Sequence, residues 1–188
     1  IGKTVLPESI RVLDAVGFDA EYVHADIGWE FWTDEGNPLP ERTIDLLAEH
    51  RLGLFGAITS KPKEEAEAEL VPELQGKGLV YRSPIVRLRQ AFDLYVNLRP
   101  CKAFKGNPLN FQDGIDMVVF RENTQGLYAG VEFHPLPADV RSVLEKNSPG
   151  MAAFEGVASE DIALSTRIFT REGCQRIVRQ TFEYAKTF

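Results

Sequence analysis

Two short and nearly unbroken apolar runs, LGLFGAI (52–58) and IDMVVF (115–120), limit the folds open to this chain. Runs of this length that do not alternate suit strands covered on both faces, as in parallel sheets with helices on either side. The neighbouring segments have helical spacing. PESIRVLDAVG (7–17) sets Ile10, Leu13 and Val16 on one side and stops at Gly17, and PERTIDLLAEH (40–50) carries Pro40 near its first turn. FDAEYVHADIG (18–28) alternates as a strand, and IVRLRQAFDLYVNL (85–98) begins as a helix with Val86, Leu88 and Phe92 toward the core before turning into a strand. Helix alternating with strand predicts an α/β fold with parallel pairing. TSKPKEEAEAELVPELQGKG (59–78), charged and broken by proline and glycine, predicts a solvated loop with a short acidic helix. Further on, EDIALSTRIFT (160–170) alternates as a half-buried strand. TREGCQRIVRQTFEYAK (170–186) is an amphipathic helix with Cys174, Ile177, Val178, Phe182 and Ala185 on its apolar side.

Arginines adjoin the apolar stretches. Arg89 and Arg99 fall in LRQAFDLYVNLRP (88–100), and Arg121 and Tyr128 in IDMVVFRENTQGLYAG (115–130). A guanidinium in a partly buried cleft is costly without a counter-charge. Its planar fork suits a carboxylate, at about 1.5–3 kcal/mol per charge-assisted bond. The inferred ligand is a small polycarboxylate, at the carboxyl end of a strand where open α/β sheets place their ligands. On residue types alone, each arginine also fits a surface ion pair, and Tyr128 a packing residue whose hydroxyl meets the backbone.

The composition narrows the partners. With 188 residues and a net charge of −7, the chain lacks the basic surface that nucleic acid requires. No apolar run approaches the roughly 20 residues of a membrane helix, and a soluble cytoplasmic protein is the default expectation. Cys101 and Cys174 have neither metal-ligand spacing nor the density of a disulfide scaffold, and are expected to be reduced, partly buried thiols.

SPIVRLRQAFDLYVNLRP (83–100) followed by DMVVFRENTQGLYAG (116–130) resembles the β-decarboxylating dehydrogenases, the isocitrate and 3-isopropylmalate dehydrogenase family. The resemblance implies a large α/β domain with a parallel sheet, a smaller α/β domain and a dimerisation arm. On that pattern residues 1–98 belong to the large domain and 99–127 to the small one; 128–169 form the clasp-like arm of a homodimer, and 170–188 a helix of the small domain. A two-stranded arm has too little core to stand alone in water, which agrees with dimerisation. Ile1-Gly2 resembles the end of the family's opening glycine-rich turn, and FEYAKTF (182–188) lies within a helical pattern. The chain is therefore expected to be an incomplete amino-terminal half, inactive by itself.

The implied reaction is oxidation of a 2-hydroxy acid by hydride transfer to NAD or NADP with Mg2+ or Mn2+, followed by loss of carbon dioxide. Tyr128 matches the tyrosine that protonates the resulting enol, aided in the family by a partner-subunit lysine. Arg89, Arg99 and Arg121 match the substrate-carboxylate clamp. Arg82, Arg87 and Arg167 have no such match and are expected to be solvated charges or ordinary ion pairs. Ser83 matches the serine that isocitrate-using members set against the distal carboxylate. Ile85 departs from the asparagine common two residues later. Isocitrate, converted to 2-oxoglutarate, is the first choice, with 3-isopropylmalate, homoisocitrate and tartrate or malate as alternatives, and a non-catalytic regulatory subunit as a different class. The metal ligands are expected outside this stretch, so Asp26, Asp116 and Glu122 are not assigned as ligands, and the nucleotide-binding residues are unassigned. Thr59, Ser60 and Lys61 are weaker pocket candidates.

Overall fold

In the computed structural model, which describes residues 2–188, the chain divides into two compact units, Ile1–Asp93 and Leu94–Phe188. The first is helical: α1 (Gly2–Ala15), α2 (Trp29–Glu35), α3 (Glu41–His50), α4 (Lys63–Ala68) and α5 (Pro84–Ala91). α3 starts directly after Pro40, whose fixed φ prepares a helical first turn. α5 carries Pro84 in its first turn for the same reason. Its arginines diverge: Arg87 donates to the Asn37 side chain at 2.7 Å and to the Leu39 carbonyl at 3.2 Å, which ties α5 to the turn before α3.

Trp32, Ala66, Leu70 and Tyr81 form the core of this unit, with Trp29, Leu74 and Leu79 packed around it. The Trp32 indole N–H donates to the Ala66 carbonyl at 2.7 Å, and its ring meets Tyr81 edge-on at 5.4 Å. The indole thus satisfies its one polar atom while burying its full apolar area. Residues 59–78 were expected to be solvated, yet Ala66 on the acidic helix and Leu70 just beyond its end are 0% and 3% exposed. The 59–62 segment is anchored to the same core. Ser60 Oγ lies 2.9 Å from the Tyr81 hydroxyl, and Lys61 pairs with Glu69 beneath the Trp29 ring.

The strands predicted at 18–28 and 52–58 are not formed. Neither segment joins a sheet among the described residues, and Leu52, Leu54 and Phe55 are 80%, 49% and 43% exposed. An apolar run becomes a strand only where a neighbour completes its hydrogen-bond ladder. Among the described residues the strand pairs that do form are antiparallel and lie in the second unit.

That unit is built on a hairpin of β1 (Val96–Lys102) and β2 (Asp116–Glu122), in register from Val96 opposite Glu122 to Lys102 opposite Asp116. Side chains alternate across it. Val118 and Phe120 face α7 (Arg171–Thr187), where Phe120 meets Tyr184 at 5.2 Å, whereas Met117 and Val119 are 54% and 42% exposed. IDMVVF is therefore covered on one face, not on both. β3 (Glu132–Phe133) and β4 (Leu164–Ser165) form a second antiparallel pair, with α6 (Ala138–Asn147) between them. The predicted strand 160–170 is shorter than expected, limited to β4 and a bridge at Ile168.

α7 forms where expected but presents another face. Gly173, Arg176, Ile177, Thr181 and Tyr184 are its covered positions, while Cys174, Val178 and Phe182 are exposed. Its inner face is chosen by polar and aromatic contacts to the hairpin and the following turn, which an apolar pattern does not report. Cys101 is half-buried and Cys174 exposed, both as free thiols. Among the described residues no helix is long and apolar enough to cross a membrane.

Candidate active site

The β1–β2 register decides which side chains meet. Asn97 stands opposite Arg121 and Arg99 opposite Val119, so all four project from the hairpin face that α7 leaves open. Arg99 and Arg121 are diagonal neighbours there, with Cα atoms about 7–8 Å apart in such pairs. Arg99 is exposed, and its Nε donates to the Asn97 side chain at 3.1 Å.

β2 runs straight into the turn Glu122-Asn123-Thr124-Gln125-Gly126, which is closed by its own first side chain. Glu122 accepts from the backbone N–H groups of Thr124 at 2.9 Å and Gln125 at 2.7 Å, from the Thr124 hydroxyl at 2.6 Å, and from Arg176 at 3.3 Å. Burial pushes its carboxyl up, but the bonds from Thr124, Gln125 and Arg176 outweigh burial and hold it below the usual carboxylate range. Arg176 also stacks its guanidinium over Tyr95 at 4.2 Å. Gln125 binds the turn to the start of α7: its amide nitrogen donates to the Thr170 hydroxyl at 2.9 Å, and the Thr170 N–H donates back to its oxygen at 3.0 Å. Thr170 in turn caps the helix by accepting from the Gly173 N–H at 3.0 Å.

This frame carries Tyr128 on a single 3-10 turn, Leu127–Ala129, between Gly126 at φ 68° and Gly130 at φ 67°. Arg121 donates from Nη2 to the phenol oxygen, and its guanidinium carbon lies 5.2 Å from the ring centre. The Gly126 N–H donates to the Ile168 carbonyl at 2.9 Å, which draws the segment after β4 against the turn. A solvent-open cavity of about 230 Å³ results, lined by Arg121, Gln125, Tyr128, Arg167 and Phe169 among others. Its lining includes the half-buried Tyr128 phenol, Arg121 held on that phenol, and a second arginine, Arg167. Such a cavity can bind an anion beside a proton donor.

Of the residues singled out from the sequence, Arg99, Arg121 and Tyr128 lie in this unit, the last two in direct contact. Ser83 and Arg89 lie in the other unit, on α5. Ser83 occupies the N-cap position without capping the helix with its hydroxyl, and Ile85 shares a helix face with Arg89 four residues later. Arg167, read as a solvated charge or an ordinary ion pair, is exposed but lines the Tyr128 cavity. The signal for it was available: in a strand where Ile162, Leu164, Thr166 and Ile168 face one way, Arg167 and Phe169 face the other. Asp26 serves as an ion-pair partner of Arg42 at 2.7 Å. Among the described residues no group of three or more His, Cys, Asp or Glu side chains is placed to hold a metal ion.

The sequence matches the family model described as isocitrate/isopropylmalate dehydrogenase over residues 1–188. It is 36% identical to homoisocitrate dehydrogenase of Methanocaldococcus jannaschii, covering 98% of this chain and 45% of that protein. It is 34% identical to Protein DlpA of Legionella pneumophila, covering 98% of this chain and 29% of that protein. The crystal structure of isocitrate dehydrogenase from Methylococcus capsulatus superposes with a TM-score of 0.72 at 30% identity, covering 100% of this chain and 45% of that one. Other relatives are named 3-isopropylmalate dehydrogenase and isocitrate dehydrogenase (NADP). The chain spans less than half the length of these proteins. With the family model matched over its whole length and the superposition covering the whole chain, the chain belongs to the isocitrate/isopropylmalate dehydrogenase family.

Proposed function

We propose that the whole protein is an oxidoreductase that oxidatively decarboxylates a 2-hydroxy polycarboxylate, with isocitrate, giving 2-oxoglutarate, as the first choice. The observation that carries this reading is the Arg121–Tyr128 hydrogen bond at the edge of an open cavity. Arg121 and Arg99, on one hairpin face, grip substrate carboxylates. Arg121 also holds the Tyr128 phenol in place, so that the hydroxyl proton is presented to the enol carbon left by decarboxylation. Ser83, whose hydroxyl is not spent on its helix, and Arg89 are proposed as further substrate-binding residues on the strength of the family motif.

NAD or NADP would accept the hydride, and Mg2+ or Mn2+ would polarise the substrate hydroxyl. The described residues contain no cluster fitted to the cation, and the roles given to Arg99, Arg121 and Tyr128 concern carboxylate and proton alone. The β3–β4 segment is proposed as the arm of a homodimer, since two strands of two residues each cannot sustain a fold in water.

A second reading, homoisocitrate or 3-isopropylmalate as substrate, is favoured by Ile85, an aliphatic side chain on the same helix face as Arg89. The test is metal-dependent reduction of NAD and NADP by the full-length protein with isocitrate, homoisocitrate, 3-isopropylmalate, tartrate and malate. Turnover of isocitrate above the rest supports the first choice. Turnover of a longer or aliphatic acid instead supports the second, and none with folded, metal-loaded protein overturns both in favour of a regulatory subunit.

A further inference from the structure

Arg167 has no family counterpart among the clamp residues, yet the fold delivers it to the Tyr128 cavity by a specific route. The Gly126–Ile168 bridge fixes the backbone of the strand segment, and strand alternation then turns Arg167 and Phe169 to the same side. Phe169 sits against Gly126, so close that a Cβ there would stand 3.0 Å from its ring. Arg167 flanks that contact and lines the cavity with Arg121.

The charge balance of the cavity is uneven. Its one carboxylate, Glu122, is already engaged by two backbone N–H groups, a hydroxyl and Arg176. The acceptor on Arg121 is the Tyr128 hydroxyl and not a carboxylate. Among the described residues Arg167 has no carboxylate partner. Two guanidiniums therefore face one cavity uncompensated, in a chain whose net charge is −7. Its volume of about 230 Å³ lies below the roughly 300–1,000 Å³ of drug-sized sites, which suits a small acid and not a nucleotide.

We propose that Arg167 is a further substrate-binding residue, gripping a carboxylate of the polycarboxylate from the arm strand while Arg121 grips it from the hairpin. The inference rests on the dehydrogenase reading for the identity of the ligand, but not for the presence of an anion site. Arg167 thereby makes the position of the 128–169 segment a condition of tight substrate binding.

The test uses the full-length protein and propane-1,2,3-tricarboxylate, which has the carboxylates of isocitrate but no hydroxyl to oxidise. Calorimetry should show binding weakened about 10-fold or more by Arg167→Ala, with partial recovery in Arg167→Lys, which keeps charge but not the fork. Arg171→Ala, an exposed arginine outside the cavity, serves as the charge-matched control and should bind like wild type. With the turnover substrate, Arg167→Ala should raise KM by a similar factor and change kcat little, a split that a purely structural role would not produce. Binding of the tricarboxylate by Arg167→Ala within twofold of wild type, or equal loss in Arg171→Ala, overturns the inference even if the enzyme turns over. Arg167-dependent binding without turnover of any substrate supports the anion site and sinks the dehydrogenase reading instead.

Discussion

Gly126→Ala tests how the segment after β4 is held against the Tyr128 turn. Gly126 has φ 68°, a left-handed conformation that costs an L-residue about 1 kcal/mol. The added methyl would stand 3.0 and 3.1 Å from two atoms of the Phe169 ring, inside normal contact distance. Relieving that overlap by moving the ring or the backbone costs about 1–3 kcal/mol. Together the two effects weaken the local structure by about 2–4 kcal/mol. The assay is hydrogen exchange of the amide at position 126, which donates to the Ile168 carbonyl and exchanges only when the bridge opens. Exchange should accelerate about 30- to 1,000-fold, at tenfold per 1.4 kcal/mol. Combining the change with Phe169→Ala should remove the steric part and leave about 1 kcal/mol, because Phe169 is already 62% exposed and its truncation alone sacrifices little packing. Exchange at the wild-type rate in the single variant, or no recovery in the double variant, would refute the reasoning.

Other substitutions probe separate parts of the structure. Arg99→Lys keeps the charge but loses the bidentate fork, and should lower kcat/KM of the full-length protein about 10-fold or more; wild-type efficiency would remove Arg99 from the site. Trp32→Ala empties the core of the first unit and should destabilise it by about 3–5 kcal/mol in chemical denaturation, a loss under about 1 kcal/mol being incompatible with the packing described. Glu122 has a folded pKa below its ordinary value of about 4.5, so its ionised form stabilises the fold above that value and the contribution disappears as pH falls through the folded pKa. Glu122→Gln should therefore flatten the acid limb of the stability profile, and an unchanged slope below about pH 4.5 would show that the carboxylate contributes nothing there.

The helices were legible where local chemistry sets them: α3 begins after Pro40, α5 has Pro84 in its first turn, and α7 follows the Thr170 cap. The strands were legible only where a partner is present. β1 and β2 form in the expected stretches because they find each other, whereas 18–28 and 52–58 have no neighbour among the described residues to complete a ladder. An apolar run reports a tendency to be covered; it does not report whether the cover exists. The Trp32 core escaped the pattern because Ala66 and Leu70 are set among glutamates, where two apolar residues four apart look like helix filler. At the site, the strand-end position of Arg121 was legible from the motif, whereas its hydrogen bond to Tyr128 is seen only in the fold. Arg167 was passed over because its strand was read for its apolar side alone, and the covered face of α7 because arginine, threonine and tyrosine choose it. The anchoring of the turn by Glu122, Gln125 and Thr170 depends on pairs up to 54 residues apart, which no local pattern contains.

The central claim is that Tyr128, held by Arg121, delivers the proton that completes the reaction. Steady-state kinetics of the full-length Tyr128→Phe protein with its turnover substrate test this most directly. Removing one hydroxyl keeps the ring and its packing, so KM should stay within about threefold while kcat falls about 100-fold or more, the scale of a lost general acid. A kcat within twofold of wild type would contradict the claim and return Tyr128 to a packing role.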